Sequence, residues 1–186
     1  MIMRKIIMSM NVTPDGFCDH TAVIADDELH NHFNEFLKNA DTALFGRVTY
    51  QLFENSWPQI AKNRTEPAPM VEFADLIDNI EKIVFSKTLT KVDWKNTKLV
   101  KEIKKDEVLN LKQKPGKDII VGSPGIVSTL TQLGLIDEYR FLVHPMIPGN
   151  GKRFFENTKM NKTRQLKLIN TKIFKSGVIE LQYQSL

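Results

Sequence analysis

The sequence predicts an α/β fold in which a mostly parallel sheet carries crossover helices and ends in an antiparallel edge. Short apolar runs at 42–45 and 119–121 stop at Gly46 and Gly122, and helically spaced apolar residues follow each glycine. Strand, glycine turn and helix in that order begin a βαβ unit. Two apolar runs near the C-terminus flank a turn at Gly177, which predicts an antiparallel hairpin.

The remaining elements follow from the spacing of apolar residues. Residues 4–12 are predicted to form the first strand, because residues 6–8, 10 and 12 are apolar and no helix start signal is present. The sequence Thr-Pro-Asp-Gly at 13–16 ends this strand. Acidic residues at 26–28 begin a helix that keeps a 3.6-residue period and ends at Asn39. Further strands are predicted at 82–85, 98–100, 139–143, 166–174 and 178–183, and further helices at about 71–79, up to about Lys112, and from Ile126 to Leu133.

Residues 55–70 stand apart from these elements. The segment contains three prolines and shows little periodicity. It therefore predicts a long surface excursion, which could serve as a lid because long irregular loops are often functional. Phe53 and Trp57 beside it are expected to pack in the core or under that lid.

Composition is that of an ordinary globular protein and excludes several classes. The 186 residues suit one domain, 1–186, and 41% hydrophobic residues are enough for a substantial core. The single cysteine, Cys18, excludes an internal disulfide framework and a cysteine-based zinc cluster. No apolar run approaches the roughly 18 residues of a membrane helix, and the N-terminus lacks a signal-peptide pattern. We therefore expect a cytoplasmic protein without membrane contact.

The net charge of +4 raises the question of a nucleic-acid partner. The lysines, however, are scattered among acidic residues at 82–117 and 159–175, without interleaved aromatic residues. This pattern is typical of a solvated basic face. A modest positive balance also suits a small anionic ligand such as a phosphorylated nucleotide.

Candidate ligand-binding residues follow four of the predicted strands, at 13–16, 46–49, 86–89 and 122–125. In an open α/β sheet, ligands bind beyond the carboxyl ends of the strands. Gly46 allows close approach of a phosphate, which the first amides of the next helix can bind. Arg47 and Lys87 add positive charge, and Ser86 and Thr88 add hydroxyls. Each motif alone is more typical of a helix cap or a solvated lysine than of a ligand site. As a set they suit an adenosine phosphate, including one with a 2′-phosphate, as well as they suit the structural explanation.

Other motifs are absent or have structural explanations. The sequence has no GxGxxG after the first strand, no GxxxxGK[ST] and no metal-ligand spacing. His30 and His32 are two residues apart on a helix and point away from each other, so no metal site is expected. His144, at a strand end, is expected to have a structural role, and residues 149–151 are expected to form the turn of a hairpin.

Five segments, taken in order, resemble a known family. Residues 45–50 read FGRVTY, 84–89 read VFSKTL, 119–123 read IIVGS, 135–139 read LIDEY and 144–151 read HPMIPGNG. These are similar to segments of the dihydrofolate reductase-like superfamily, in the branch built like the reductase half of the bifunctional riboflavin-pathway deaminase–reductase. The correspondence covers nearly the whole chain.

The resemblance implies a three-layer αβα fold with an eight-stranded sheet, NADPH as cofactor and a homodimer. The reaction would be hydride transfer to a C=N or C=O carbon of a pterin-like or ribosylaminopyrimidine substrate, bound between Asp15 and the helix at 26–36. The implied cofactor residues are Gly46, Arg47, Val48 and Thr49 at the phosphates, Ser86, Lys87 and Thr88 at the adenosine and its 2′-phosphate, and Gly122, Ser123 and Gly125 on the nicotinamide side.

The chain departs from the family in three places. Ser123 replaces the second glycine of a Gly-Gly pair whose bond is cis in dihydrofolate reductases; a cis bond before serine costs roughly 2.5–4 kcal/mol, so a differently built turn is expected. His30 lies nearest the position of the carboxylate on the first helix that holds the pterin. The deaminase motifs H-x-E and P-C-x-x-C are absent.

Asp15 is the first candidate for a substrate-orienting or proton-handling acid, and Asp27 is the second. Pro-Asp-Gly around Asp15 is also a plain turn signature. Two further readings of the chain stay open: a nucleotide-binding or interaction module of the same fold without turnover, and a nucleic-acid binder.

Overall fold

A computed structural model describes residues 3–18, 20–21, 23–156, 158 and 163–186. These residues form one eight-stranded sheet. Its strands are β1 (Ile6–Val12), β2 (Ala40–Gly46), β3 (Glu81–Phe85), β4 (Thr97–Val100), β5 (Asp118–Val121), β6 (Glu138–Val143), β7 (Leu166–Ile173) and β8 (Ile179–Ser185). The helices are α1 (Asp27–Lys38), α2 (Arg47–Asn63), α3 (Ala68–Asn79), α4 (Lys105–Gln113) and α5 (Pro124–Leu133).

The strand order is β4-β3-β2-β5-β1-β6-β8-β7. All pairs from β4 to β6 are parallel, whereas β8 joins β6, and β7 joins β8, in antiparallel fashion. The predicted α/β fold, a mostly parallel sheet with an antiparallel C-terminal hairpin, is therefore confirmed. The carboxyl ends of β3, β2, β5 and β1 all meet at one edge, which we call the carboxyl edge.

Helices cover both faces of the sheet, because successive residues of a buried strand point to opposite sides. Leu44, Ile119 and Val121 pack in one cluster with α4 and α5. Ala43 and Phe45 pack on the other side with α1, α2 and α3. The result is the expected three-layer αβα arrangement.

The first helix begins and ends where the sequence predicts. The Asp26 carboxylate accepts a hydrogen bond of 2.8 Å from the Leu29 amide, which caps α1. Asp27 and Glu28 in the first turn favour the helix dipole, and Asn39 is the C-terminal cap.

The prediction of an irregular lid at 55–70 is wrong, because α2 continues to Asn63 and α3 begins at Ala68. Trp57 packs on Phe73 of α3 with ring centroids 4.5 Å apart, and it also contacts Phe53 one turn earlier. This aromatic packing outweighs the helix-breaking tendency of Pro58. Pro67 and Pro69 stand at the N-terminus of α3, where proline is favoured.

Not all of the lysines belong to a solvated face. Lys82 is fully buried and Lys112 is 5% exposed. The Lys82 ammonium donates to three carbonyls at the end of α3, those of Ile77, Asp78 and Ile80, at 3.0, 3.1 and 2.9 Å. Lys159 and Lys162, which the sequence also assigned to that face, lie outside the described residues.

Two local predictions are settled by the backbone. Within the described ranges every peptide bond is trans, including the bond before Ser123. Residues 149–151 lie in a loop without flanking strands rather than in a hairpin. That loop is joined to the first strand's exit through an isolated antiparallel bridge between Phe17 and Arg153. Among the residues that the structure describes, no helix is long and apolar enough to cross a membrane.

Candidate functional site

The two glycine turns predicted from the sequence touch each other at the carboxyl edge. β2 and β5 are neighbours in the sheet, so the turns that follow them lie side by side. The Gly46 amide donates a hydrogen bond of 3.0 Å to the Ser123 hydroxyl, which is buried. Ser123, where the family pattern has glycine, therefore locks one turn to the other.

Two helix N-termini open at this junction without side-chain caps. Gly46 is the N-cap of α2, and Ser123 is the N-cap of α5. Neither makes a side-chain cap hydrogen bond, since Gly46 has no side chain and the Ser123 hydroxyl serves Gly46 instead. The first amides of α2 lack intrahelical partners, and in α5 those of Gly125 and Ile126 do, because Pro124 at the start of α5 has no N–H. Both termini carry the positive end of the helix dipole. Such a pair of termini suits an anion that spans both turns, for example a pyrophosphate.

The glycines around the junction differ in what surrounds them. A Cβ at Gly125, in the first turn of α5, would meet nothing within 4 Å. A Cβ at Gly122 would lie 3.2 Å from the Ser9 carbonyl oxygen, so close packing against β1 requires glycine there. Gly125 thus leaves open space in front of the helix amides, whereas Gly122 is fixed by the sheet.

The first turn of α2 presents the other predicted phosphate residues. Arg47 is exposed, and its guanidinium donates a 3.1 Å hydrogen bond to the Gln51 side-chain oxygen. Val48 is 66% exposed, which is unusual for a valine next to a buried strand. Thr49 is half-buried and faces a cavity described below.

The strand end after β3 lies next to β2 at the same edge. Ser86 is buried, and its hydroxyl accepts hydrogen bonds from the Thr88 and Leu89 amides at 3.2 and 3.0 Å. Its first role is therefore to close this turn. Lys87 and Thr88 are exposed and remain available to a ligand.

An apolar cavity of about 100 Å³ lies beside the junction, between the sheet and α1, α2 and α3. Its polar lining consists of the Ser9 and Thr49 hydroxyls and the Gly122 backbone. Aromatic side chains supply much of the remaining wall, namely those of Phe33, Phe36, Phe45, Phe53 and Phe73. No ionisable side chain of the described residues lines it. The cavity is suited to a flat, largely apolar group placed next to Gly122.

Asp15 lies outside this cavity and ties two loops together. One carboxylate oxygen accepts a 2.6 Å hydrogen bond from the Thr13 hydroxyl, and the other accepts one of 3.3 Å from the Gly149 amide. The Thr13 hydroxyl, foremost, holds the pKa of Asp15 below its usual value. Two backbone hydrogen bonds also join these loops. The Phe154 amide donates to the Gly16 carbonyl, and the Cys18 amide donates to the Lys152 carbonyl. Asp15 is thus an ionised acceptor, which favours an orienting role over proton donation.

Asp27 and His30 are also outside the cavity lining. Asp27 is exposed as the first residue of α1. The His30 ring packs edge-on to Phe73, 6.5 Å away, and contacts the Asp26 carbonyl. His32, two residues on, instead contacts Glu180 at 3.0 Å. The catalytic assignments of Asp15 and Asp27 stay predictions.

His144 has a structural position, as expected. Its Nδ1 accepts a 3.0 Å hydrogen bond from the Ile24 amide, so its Nε2 carries the proton and donates to the Asn11 side-chain oxygen at 2.9 Å. Burial lowers its pKa, which favours this neutral form. The ring thereby anchors the loop before α1 to the end of β1.

Sequence reasoning missed the cavity wall. Ser9 is the polar residue inside the run IIMSMNV, and Phe53 continues the helical face that begins at Thr49. Ser9 interrupts an otherwise apolar stretch, and this was the available signal. Phe33 and Phe36 belong to the 3.6-residue period of the first helix, and spacing alone does not separate a core aromatic residue from one that lines a cavity.

A family model, the RibD C-terminal domain, matches residues 4–179. The chain belongs to this family. Among curated proteins, an uncharacterized protein of Bacillus subtilis (strain 168), YyaP, is 34% identical over 190 residues, covering 97% of this chain and 94% of its relative.

Solved structures share the fold at low sequence identity. A diaminohydroxyphosphoribosylaminopyrimidine deaminase/5-amino-6-(5-phosphoribosylamino)uracil reductase from Thermotoga maritima has a TM-score of 0.68 at 17% identity, with 99% of this chain and 57% of that chain covered. Dihydrofolate reductase from Enterococcus faecalis, complexed with NADP(H), has a TM-score of 0.62 at 12% identity, with 97% and 96% covered. The fold is therefore dihydrofolate reductase-like, and the family is that of a reductase-type domain.

Proposed function

We propose that this chain is a cytoplasmic, single-domain, NADPH-dependent reductase. The observation that carries the proposal is the pair of uncapped helix N-termini joined by the Gly46–Ser123 hydrogen bond. Family membership and a fold shared with a reductase complexed with NADP(H) support it.

The residues at the carboxyl edge fit the cofactor. The amides of Arg47, Val48 and Thr49, and those at Gly125, would hold the phosphates. Exposed Lys87 and Arg47 would pair with a 2′-phosphate, with Thr88 beside them and Ser86 shaping the turn. Gly122 and Ser123 would flank the nicotinamide next to the apolar cavity. When bound, NADPH would supply the hydride, and the protein would orient it and exclude water.

For the substrate, we propose a pterin-like or ribosylaminopyrimidine molecule that accepts the hydride at a C=N or C=O carbon. The aromatic walls of the cavity suit one edge of a flat heterocycle, since its volume of about 100 Å³ is below the range of small-molecule sites and the rest of the molecule would lie outside it. Ser9 and Thr49 in the lining could orient that edge. The Thermotoga maritima relative is named as a reductase of 5-amino-6-(5-phosphoribosylamino)uracil, which is a molecule of this chemical class. Asp15 would position the loop over the substrate as an ionised acceptor, and Asp27 stays the second acid candidate.

The cofactor assignment is tested by fluorescence titration with NADPH and with NADH. We expect tighter binding of NADPH, and a loss of about tenfold in NADPH affinity for Lys87→Ala, because one charge-assisted contact to a 2′-phosphate is worth about 1.4 kcal/mol. NADH affinity should not change in this variant. Equal affinities for both cofactors, unaffected by Lys87→Ala, contradict the assignment.

Among the described residues that line the cavity, none has an ionisable side chain, which favours a second reading in which the domain binds the nucleotide without turnover. Oxidation of NADPH in the presence of pterin and ribosylaminopyrimidine acceptors separates the two. Turnover supports the reductase, and saturable NADPH binding without oxidation supports the binding module.

We further propose a homodimer built on the β7–β8 hairpin. Leu168, Ile173 and Ile179 share one face by register and are 51%, 75% and 39% exposed. An exposed apolar face on an edge strand is typical of an interaction surface. Light scattering should give the mass of a dimer, and Ile173→Lys should shift it toward the monomer; a wild-type monomer would contradict the proposal.

A further inference from the structure

A second cavity, of about 490 Å³, opens at the opposite edge of the sheet, where the parallel strands begin. It lies between α1 and the first residues of β1, β5 and β6. Unlike the apolar cavity near Gly122, it is lined largely by charged side chains. Its size falls within the range of small-molecule sites, about 300–1,000 Å³. Nothing in the proposed reductase mechanism uses it.

Arg140 is the lining residue whose hydrogen-bonding capacity is least used. Its guanidinium stacks over the Phe36 ring, 4.8 Å from the centroid. It donates one weak hydrogen bond, of 3.4 Å, to a Glu138 oxygen, and its buried Nε has no hydrogen-bond partner in the described residues. A guanidinium has five N–H donors in a fixed fork. Arg140 is thus held in place with most of its donors available.

The carboxylates near Arg140 are already engaged. Glu138 accepts a 2.7 Å hydrogen bond from the Lys5 ammonium through its other oxygen. Glu180, fully buried behind the cavity, accepts from His32 at 3.0 Å and from Gln182 at 2.7 Å. Glu138 thus divides its two oxygens between Lys5 and the long contact with Arg140, and Glu180 is bonded to His32 and Gln182.

Other charges around the cavity are shared or bonded elsewhere. Asp118 accepts the Lys5 backbone amide, and Glu35 pairs with Lys38. Lys117 lies at the rim, where its ammonium donates a 2.6 Å hydrogen bond to the Lys38 carbonyl. The group left seeking a partner is therefore cationic, and the partner that completes it is an anion.

We propose that this cavity binds a small molecule through a carboxylate or phosphate group, held by the Arg140 fork with Lys5 and Lys117 beside it. Both anions match the planar, bidentate geometry of a guanidinium. The rest of the ligand would occupy the space along α1 above Ile7. This site is separate from the carboxyl edge and does not depend on the proposed reductase activity.

The site is coupled to the apolar cavity by a shared wall. Phe36 lines both cavities, and its ring is the surface on which Arg140 rests. An anion that draws Arg140 toward the edge of the sheet where the parallel strands begin changes the contact between its guanidinium and the Phe36 ring. Occupancy of one cavity should therefore alter the other.

The test is a titration of the protein with inorganic phosphate and, separately, with succinate at constant ionic strength. Binding is followed in nitrogen-correlated NMR spectra by the Arg140 Nε–H resonance of the wild type and, in every variant, by the backbone amides of the lining residues Asp118 and Glu138. We expect a saturable shift with at least one probe, and the probe that saturates identifies phosphate or carboxylate as the anion. Arg140→Gln should weaken binding by about tenfold or more. Arg64→Gln, which removes an exposed arginine paired with Asp75, should leave it unchanged.

Linear, non-saturating shifts with both probes would overturn the proposal, as would equal binding by Arg140→Gln and wild type. If Arg140→Gln does not fold, Arg140→Lys keeps the charge without the fork, and the proposal then requires weaker binding by the lysine variant. Because NADPH is absent from these samples, failure here leaves the reductase proposal standing, and failure to bind NADPH leaves this one standing.

Discussion

The two edges of the parallel sheet differ in how far their basic side chains are buried and hydrogen-bonded within the protein. At the amino edge, where the strands begin, three basic side chains are buried and hydrogen-bonded, namely those of Arg4, Lys82 and Lys112. Lys5 and Lys117 at the same edge are exposed. At the carboxyl edge, Arg47 and Lys87 are exposed, and the helix amides beside them lack side-chain caps.

Two ion pairs at the amino edge have a structural role. Arg4 bonds Asp41 and the Thr42 hydroxyl, and Lys112 bonds Asp137 at 2.7 Å. A buried charge without a partner is costly, so these pairs are requirements of the fold. At the carboxyl edge, the same types of side chain perform no such task, which leaves them for a ligand. Arg140 departs from the amino-edge pattern, and that departure marks the second proposed site.

The largest expected effect that tests this contrast comes from exchanging one lysine at each edge. Lys82→Met leaves three carbonyls at the end of α3 without their buried donor, so we expect a loss of about 3 kcal/mol in the free energy of unfolding. Urea unfolding monitored by circular dichroism measures it.

The matched control is Lys87→Met at the carboxyl edge. Because Lys87 is exposed, its replacement should change the unfolding free energy by less than about 0.5 kcal/mol while weakening NADPH binding. Similar stability losses in both variants would erase the contrast between the edges.

A smaller effect sharpens the role of the open space at Gly125. A methyl group there meets no protein atom within 4 Å and improves helix propensity, so Gly125→Ala should keep or raise stability by up to about 1 kcal/mol. NADPH affinity should nevertheless fall about tenfold, since the methyl occupies the approach to the α5 amides. Thermal unfolding and fluorescence titration measure the two quantities. Ser128→Ala on the same helix serves as the control, and unaltered NADPH affinity in Gly125→Ala argues against this path.

The smallest effect concerns His144, whose pKa is lowered by burial. The unfolded chain takes up a proton below about pH 6.5, whereas the folded ring resists it, so this group's contribution to stability is lost as pH falls from there. We expect the unfolding free energy of the wild type to fall more steeply below pH 6.5 than that of His144→Gln, by up to about 1 kcal/mol per pH unit. Urea unfolding between pH 7 and pH 5 checks this, with the exposed His20→Gln as the control. Parallel pH profiles for wild type and His144→Gln would be the contrary result.

Local chemistry made much of the fold predictable. The Asp26 cap, the glycines after β2 and β5, and the turn at Gly177 each act within a few residues, so the sequence reveals them directly. The helix at 55–63 was missed because the Trp57–Phe73 contact that stabilises it joins residues far apart in sequence. Lys82 looked solvated although its three acceptors lie only 5, 4 and 2 residues away in sequence. Composition and spacing do not show that the lysine ammonium turns back onto the carbonyls at the end of α3 and is buried there.

The candidate site was predictable to a lesser degree. Gly46 and Ser123 were singled out separately, but their mutual hydrogen bond depends on strand order. Asp15 was predicted as a candidate because of its carboxylate. Its hydrogen bond from the Gly149 amide could not be predicted, because the two residues are 134 positions apart in sequence. The cavity near Gly122 is assembled from three helices and three strands, so no single stretch of sequence encodes it.

The most direct test of the central claim is amide chemical-shift mapping of the protein on titration with NADPH. Our account predicts saturable shifts that are largest at residues 46–49, 87–88 and 122–126, with weaker binding by NADH. It is contradicted by the absence of saturable binding, or by shifts centred on the amino edge with those residues unchanged.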